Sequence, residues 1–558
     1  GGIMLRHRKA HLSALFLSFL CVLAVALTAC GGATNSAKKN APLIVDTGPT
    51  GDFTRNFNPF TTSGLISTYG SIYEPLLYTN MITGAVQPWL ASSYKMAQDA
   101  RSATFTLTSG AKWSDGKPLT ADDVVFTFDY MHRYPALDSN GVWTYLKSVT
   151  ATDDKTIVFT FNSPNSSLIY YIGTKTFIAP KHIWSTISDP VKYANPDPVG
   201  SGPFKLKSFS SQNVTIVKNP QYWQPGKPAV NEVQFPASND NAGIELKLYS
   251  NKTDWAGIPA RDVQRLYVDR DPAHHHYWFQ PVDANMFLVN TAKYPLNQLP
   301  VRKAISDALD RDKMSKVAEQ GYEPIAHPTG IIPSQQGQYL DPAYSNLTFK
   351  HDVAQAGSTL ESAGFTKGPD GIYVDKDGKK LSVKIDVVSA WSDWLALVQI
   401  AAQNLKEAGI DATVNGIGIG DYQSRMSAGQ FDLSMGSMPQ GPSPFYAYNG
   451  LLNSAYTADI GQSASNDVGR WRDATTDNLL KQYATTIDPA VQKQAMQGLQ
   501  KIVVEQLPVI PLLYDVTWAE YNSSNYVGWP DPKNPYAPAG NYYNPDLAYI
   551  LLHLKPAA

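Results

Sequence analysis

Cysteine is nearly absent from this chain: 558 residues contain two, Cys21 and Cys30, and both lie close to the N-terminus. The remaining residues therefore have no disulfide, no thiol nucleophile and no thiolate metal site, which removes several enzyme classes at once. Charge of one sign is lacking too. The 46 Lys and Arg against 48 Asp and Glu leave a net charge of -2, and no basic face interleaved with aromatics is visible, so nucleic acid is not an expected partner. After Leu27 no apolar run approaches the ~20 residues that a spanning helix needs, and no repeat of solenoid or propeller period recurs.

The N-terminal region carries a more specific signal. Arg6, His7, Arg8 and Lys9 precede an uncharged apolar segment from Leu12 to Leu27, and Leu27-Thr28-Ala29-Cys30 closes it with small residues and a cysteine. That order is the pattern of a secretory signal. It resembles a bacterial lipoprotein signal, which implies cleavage after Ala29 and lipid on the sulfur of Cys30. Residues 1–29 are thus expected to be a signal peptide, and residues 30–40 a lipidated cysteine and a flexible polar tether.

Aromatics are plentiful, with 12 Trp and 31 Tyr, many of them set among Gly, Pro and Asn. Flat rings beside amides and hydroxyls suit stacking and hydrogen bonding to sugars or peptides. The length exceeds what one hydrophobic core serves, so at least two lobes are expected. From Leu43 to about Val282 the pattern is mostly β, with alternating runs such as Thr156 to Phe161. Thr120 to Asp123 has the capping-box spacing that predicts a helix start. After Asn285 the pattern becomes α/β. Val301, Ala304, Ile305 and Ala308 form one helical face behind Pro300, and Leu381 to Val387, Trp394 to Ala408 and Ile410 to Ile417 read as a βαβ unit with parallel pairing.

Ile72-Tyr73-Glu74-Pro75-Leu76-Leu77, the block from Trp113 to Phe128, Gly200 to Leu206, Asn219 to Trp223, Leu299 to Arg311 and Leu507 to Tyr514 follow in an order that resembles the family 5 extracytoplasmic solute-binding proteins. These are the oligopeptide, dipeptide and cello-oligosaccharide receptors of ABC importers. The resemblance implies an α/β, two-lobed periplasmic-binding-protein-like fold with an inserted β-rich subdomain and a double-crossing hinge. Lobe 1 is expected from 41–70, 197–282 and 512–558, the inserted subdomain from 71–196, and lobe 2 from 283–511. The crossings are expected near Val282 to Asn290 and Gln506 to Tyr514, with Gly200, Gly202 and Pro203 shaping a tight loop between lobes. The resemblance further implies a monomeric, non-catalytic receptor without cofactor, lipid-anchored outside the cytoplasmic membrane, that serves permease subunits with a separate ATPase.

In peptide-binding members, a carboxylate in a W-x-D-Y-x-D-P motif of the second lobe pairs with the ligand's ammonium. Here Gln440, Gly441, Pro442, Ser443 and Pro444 stand in that place, so the expected anion is missing. GPSPFYAY and the tail around Trp529 instead look like the subgroup that binds β-linked oligosaccharides. The expected ligand is therefore a β-linked oligosaccharide, with an oligopeptide as the alternative. The candidate ligand-binding residues are Trp255, Asn285, Trp391, Trp394, Gln440, Ser443, Tyr446, Tyr448, Tyr514 and Trp529. A secreted glycoside hydrolase is the rival of a different class, although its separated carboxylate pair is not recognisable in sequence.

Other motifs are set aside. His274, His275 and His276 lack a completing Cys or Glu-x-x-His for a metal site. Ser114 to Lys117 matches S-x-x-K, but Asp115-Gly116 before Pro118 predicts a turn rather than the helix that pattern requires.

Overall fold

The computed structural model describes residues 41–61, 63–438 and 441–558. The signal segment, the tether, Cys30 and Gln440 lie outside the described residues. Three larger sheets organise the chain. The first has seven strands, in the order His275–Tyr277, Glu520–Asn522, Trp255–Ala256, Leu43–Asp46, Glu232–Pro236, Asn213–Lys218 and Phe204–Ser210. The second has five, ordered Asp411–Ile417, Ser382–Val388, Leu433–Ser437, Gln280–Val289 and Val509–Thr517. A four-stranded sheet, Ala91–Met96, Ser102–Leu107, Thr156–Phe161 and Leu146–Ala151, is wholly antiparallel and forms the inserted subdomain.

Local signals explain several elements. In Thr156–Phe161 every second residue is buried, as a one-faced strand requires. Thr120 and Asp123 form a reciprocal capping box on the helix Ala121–Arg133, with the Thr120 N–H donating to Asp123 Oδ2 at 3.0 Å. That helix buries Val124 and Phe128 against the inserted sheet. In the second lobe, Ser382–Val388 pairs in parallel with Asp411–Ile417 across the helix Ser392–Glu407, so the βαβ unit forms as its periodicity predicts. Val301, Ala304, Ile305 and Ala308 of the helix Leu299–Ala308 are fully buried in the same core. Such a Val or Ile contributes about 1.5–3 kcal/mol each.

Two features depart from expectation. Gln280–Val289 and Val509–Thr517 pair along their length, from Gln280↔Thr517 to Leu288↔Val509. Both belong to the second sheet, so the segments expected to cross between lobes are long paired strands with apolar neighbours on both sides. The chain changes sheet further out, at Trp278–Phe279 and Trp518–Ala519, where the Trp278 N–H donates to Ala519 O at 3.0 Å. The Gly200 loop knits the inserted subdomain to the first lobe rather than joining the two lobes. Ser114 N–H donates to Gly200 O at 2.9 Å and Gly202 N–H to Ile72 O at 2.8 Å. A Cβ at Gly200 would stand 1.8 Å from Ile72 O, so only glycine permits this approach.

The aromatic tail packs back on the first lobe. Trp529 stacks on Tyr521 at 4.9 Å and meets Trp255 edge-on at 5.2 Å. Asp115-Gly116 is a turn, with Gly116 at φ +90° and its N–H donating to Trp113 O, so Ser114 and Lys117 share no helix face. Among the described residues no helix is long and apolar enough to cross a membrane.

Candidate functional site

Where the two lobes face each other, a chamber of about 390 Å³ opens at the C-terminal ends of strands from both sheets. Thr47 to Pro49 follow Leu43–Asp46, Gly257 follows Trp255–Ala256, and Ser437 ends Leu433–Ser437. Trp391, Asp393 and Trp394 stand in the loop and first helical turn beyond Ser382–Val388. Loops beyond such strand ends are free to vary and form the usual binding crevice of open α/β sheets. The paired strands behind the chamber contribute Asp283 and Asp515, the crossing contributes Trp518, and the tail contributes Tyr542 and Tyr543.

The lining combines aromatic faces with carboxylates. Trp391 and Trp394 are half-buried, their rings 5.0 Å apart at 88°. This places two indole surfaces at right angles on the second-lobe wall. Asp283, Asp393 and Asp515 line the chamber, and among the described residues no Lys, Arg or His does. Burial pushes all three carboxyls up, and Asp515 raises Asp283 further. Behind them lie two more buried acids, Glu319 and Glu323, both also pushed up by burial. Glu323 Oε2 accepts from Asn285 Nδ2 at 2.7 Å, whereas neither carboxyl oxygen of Glu319 has a partner. A chamber of this kind can stack flat rings and accept several hydroxyl or N–H donors.

The sequence-derived candidates fall into separate places. Trp391 and Trp394 line the chamber. Ser443 lies in a small adjoining recess that shares Asp283, with its Oγ 3.2 Å from Tyr483 Oη. Asn285 is fully buried behind the chamber and positions Glu323. Tyr446 donates to Ser167 O at 3.1 Å, joining the second lobe to the inserted subdomain.

The other four are core residues, away from the chamber wall. Tyr448 donates to Thr329 O at 2.7 Å and Tyr514 to Ile331 O at 2.9 Å. Trp255 and Trp529 donate their indole N–H groups to Ala539 O and Tyr526 O within the first lobe. Their polar atoms are already used, and their rings fill lobe interiors. No carboxylate stands at the motif position from Gln440 to Pro444, but Asp283, Asp393 and Asp515 reach the chamber from other elements. The Trp391-Ser392-Asp393-Trp394 cluster was a visible signal for one of them. Asp283, Asp515 and Tyr543 carried none, because only the tertiary pairing brings them together.

The triple histidine is engaged structurally. His275 Nδ1 lies 2.9 Å from Tyr267 O, with its ring stacked on Tyr267 at 4.1 Å, and His276 Nε2 lies 3.0 Å from Ser523 Oγ. His274 pairs with Asp271 at 2.9 Å.

The family model for bacterial extracellular solute-binding proteins, family 5 middle, matches residues 85–459. The oligopeptide-binding protein OppA of Bacillus subtilis is 25% identical over 78% of this chain and 81% of its own length. The nickel-binding periplasmic protein of Escherichia coli is 27% identical over 65% of this chain and 68% of its own. Among solved structures, a mannohexaose-bound periplasmic oligopeptide-binding protein of Thermotoga maritima superposes with a TM-score of 0.84. It is 26% identical, covering 93% of this chain and 99% of that one. The Bacillus subtilis protein AppA, in complex with a nonapeptide, reaches 0.78 at 21% identity, over 94% of this chain and 100% of that one.

Proposed function

The chain belongs to the bacterial extracellular solute-binding proteins of family 5, the substrate receptors of ABC importers, and from that premise we propose that it captures an extended β-linked oligosaccharide between its lobes. The Trp391–Trp394 surface, facing carboxylates in a chamber walled by both lobes, is the observation that carries this reading. Sugar rings present apolar faces to the indoles, and their hydroxyls donate to Asp283, Asp393 and Asp515. The mannohexaose held by the Thermotoga maritima relative supports an oligosaccharide.

An oligopeptide is the second reading, and a specific observation favours it. The same three carboxylates offer a counter-charge to a terminal ammonium, which would be costly to bury alone. The relatives named for oligopeptides support it equally.

Ligand acts by shifting an open–closed equilibrium, so transport needs no chemistry in the cleft. Lipid on Cys30 would hold the receptor, as a monomer, beside its permease. Calorimetric titration with cello-oligosaccharides, xylo-oligosaccharides and mixed short peptides tests the ligand class. Saturable sugar binding is expected. Binding of peptides alone would shift the reading to the second, and release of reducing ends, lost on replacing one cleft carboxylate, would replace it with a hydrolase.

A further inference from the structure

A second chamber, of about 240 Å³, adjoins the first, and the walls of both share Tyr542 and Tyr543. The inserted subdomain supplies Thr79, Met81, Tyr170, Thr174 and Lys175, and the tail supplies Asn544 and Asp546. Unlike the first, its wall carries an ammonium, Lys175, as well as the carboxyl of Asp546. Lys175 Nζ donates to Asn544 O at 3.1 Å and lies 5.9 Å from the centre of the Tyr170 ring. Among the described residues no carboxylate stands within ion-pairing distance of it. Asp546 acts on Lys175 only from farther away, and its Oδ1 accepts from Tyr78 at 2.7 Å.

Two polar atoms in this chamber lack partners. Tyr170 Oη and Asn544 Oδ1 are both buried without a hydrogen bond, and Tyr170 as a whole is 4% exposed. Buried polar atoms are almost always paired in a completed structure, so these two mark places for a ligand's atoms. A half-buried ammonium with a single carbonyl partner points the same way, because charge is costly to bury unpaired.

We propose that this chamber is the anion-binding end of the cleft and receives a carboxylate carried by the solute whose body lies against Trp391 and Trp394. The inference rests on reading the cleft as the solute site and adds a chemical group to its ligand. Lys175 and the Tyr170 hydroxyl donate to the carboxylate, in charge-assisted and neutral bonds respectively. Asn544 Oδ1 accepts from an O–H or N–H beside it. The described wall of the first chamber offers a carboxylate no Lys, Arg or His, so the solute binds in one direction. The carboxylate has two possible sources, the C-terminus of a peptide or an acid group on a sugar.

Calorimetry on the full chain separates the sources with two matched pairs of probes. One pair is tetra-alanine and its C-terminal amide. The other is a cello-oligosaccharide and the same oligosaccharide oxidised at one end to a carboxylate. In at least one pair the carboxylate-bearing member binds roughly tenfold tighter, and which pair shows it names the source. Lys175→Met abolishes the preference, while Lys175→Arg retains it. Equal affinity within both pairs, measured on the unaltered protein, overturns the inference whether or not the variants fold. So does a preference that survives Lys175→Met. Binding without preference leaves the receptor reading standing, whereas no binding of any probe overturns both.

Discussion

The phenolic oxygens of Tyr145 and Tyr456 stand 3.0 Å apart, one on the inserted subdomain and the other on the second lobe. Ser166 N–H donates to Ala484 O at 2.7 Å across the same gap, and Tyr446 to Ser167 O at 3.1 Å. Each bond would break if the inserted subdomain and the second lobe moved apart, so together they favour the closed state on which capture depends. Tyr456→Phe removes one of them and is expected to weaken ligand binding by about 0.5–1.5 kcal/mol, a few-fold to tenfold in Kd. Small-angle scattering should show a larger ligand-free radius of gyration. Adding Tyr145→Phe should cost little more, since both changes delete the same bond.

Tryptophans in the chamber and in the core should fail differently. Trp391→Ala and Trp394→Ala are each expected to cost about 2 kcal/mol of binding, with little change in denaturation midpoint, because both rings are half-buried at the surface of the cleft. Trp255→Ala empties a fully buried site against Trp529 and should lower folding stability by about 3–5 kcal/mol. Parallel titrations and urea unfolding of the three variants check the contrast.

Buried carboxyls give the protein a pH-dependent stability. Burial pushes Glu74 up to about 7 and Asp467 up to about 8, while Asp254 and Asp546 are pushed up to about 6. An acid whose folded pKa is raised stabilises the fold fully below its unfolded value, and that contribution is lost as pH rises through the folded one. His276, His327 and His553, lowered by burial from 6.5, act in the opposite sense only below that value. Between pH 7 and about pH 8.5 the acids act without that opposition, and Tm measured by calorimetry is expected to fall. Asp467→Asn should flatten the upper part of that decline.

Cys30→Ala tests the tether. The variant is expected in the soluble fraction of cells with its ligand affinity intact, whereas the unaltered protein sediments with membranes. Persistent membrane association of the variant would count against lipid on Cys30.

Much of the scaffold was legible because its signals are local. The capping box at Thr120, the helical face led by Val301 and the βαβ period from Leu381 to Ile417 each depend on residues close in sequence. The hinge was less so. The family resemblance put the crossings near Val282 to Asn290 and Gln506 to Tyr514, but nothing local shows that these two segments pair side by side and move the crossings to Trp278 and Trp518. The site was least legible. Aromatic residues in Gly- and Pro-rich stretches read alike whether they face a cleft, as Trp391 and Trp394 do, or fill a lobe, as Trp255 and Trp529 do. The acids of the chamber come from segments far apart, and Lys175 sits in a different subdomain from every residue expected to bind ligand.

Whether solute is held against Trp391 and Trp394 between closing lobes is tested most directly by intrinsic fluorescence titration. The unaltered chain and the Trp391→Phe, Trp394→Phe double variant would be titrated with the cello-oligosaccharide and short-peptide series. A saturable emission change is expected in the unaltered protein and is largely lost, with weakened affinity, in the variant. Saturable binding with the same affinity and the same emission change in both proteins would place the solute elsewhere and contradict that contact.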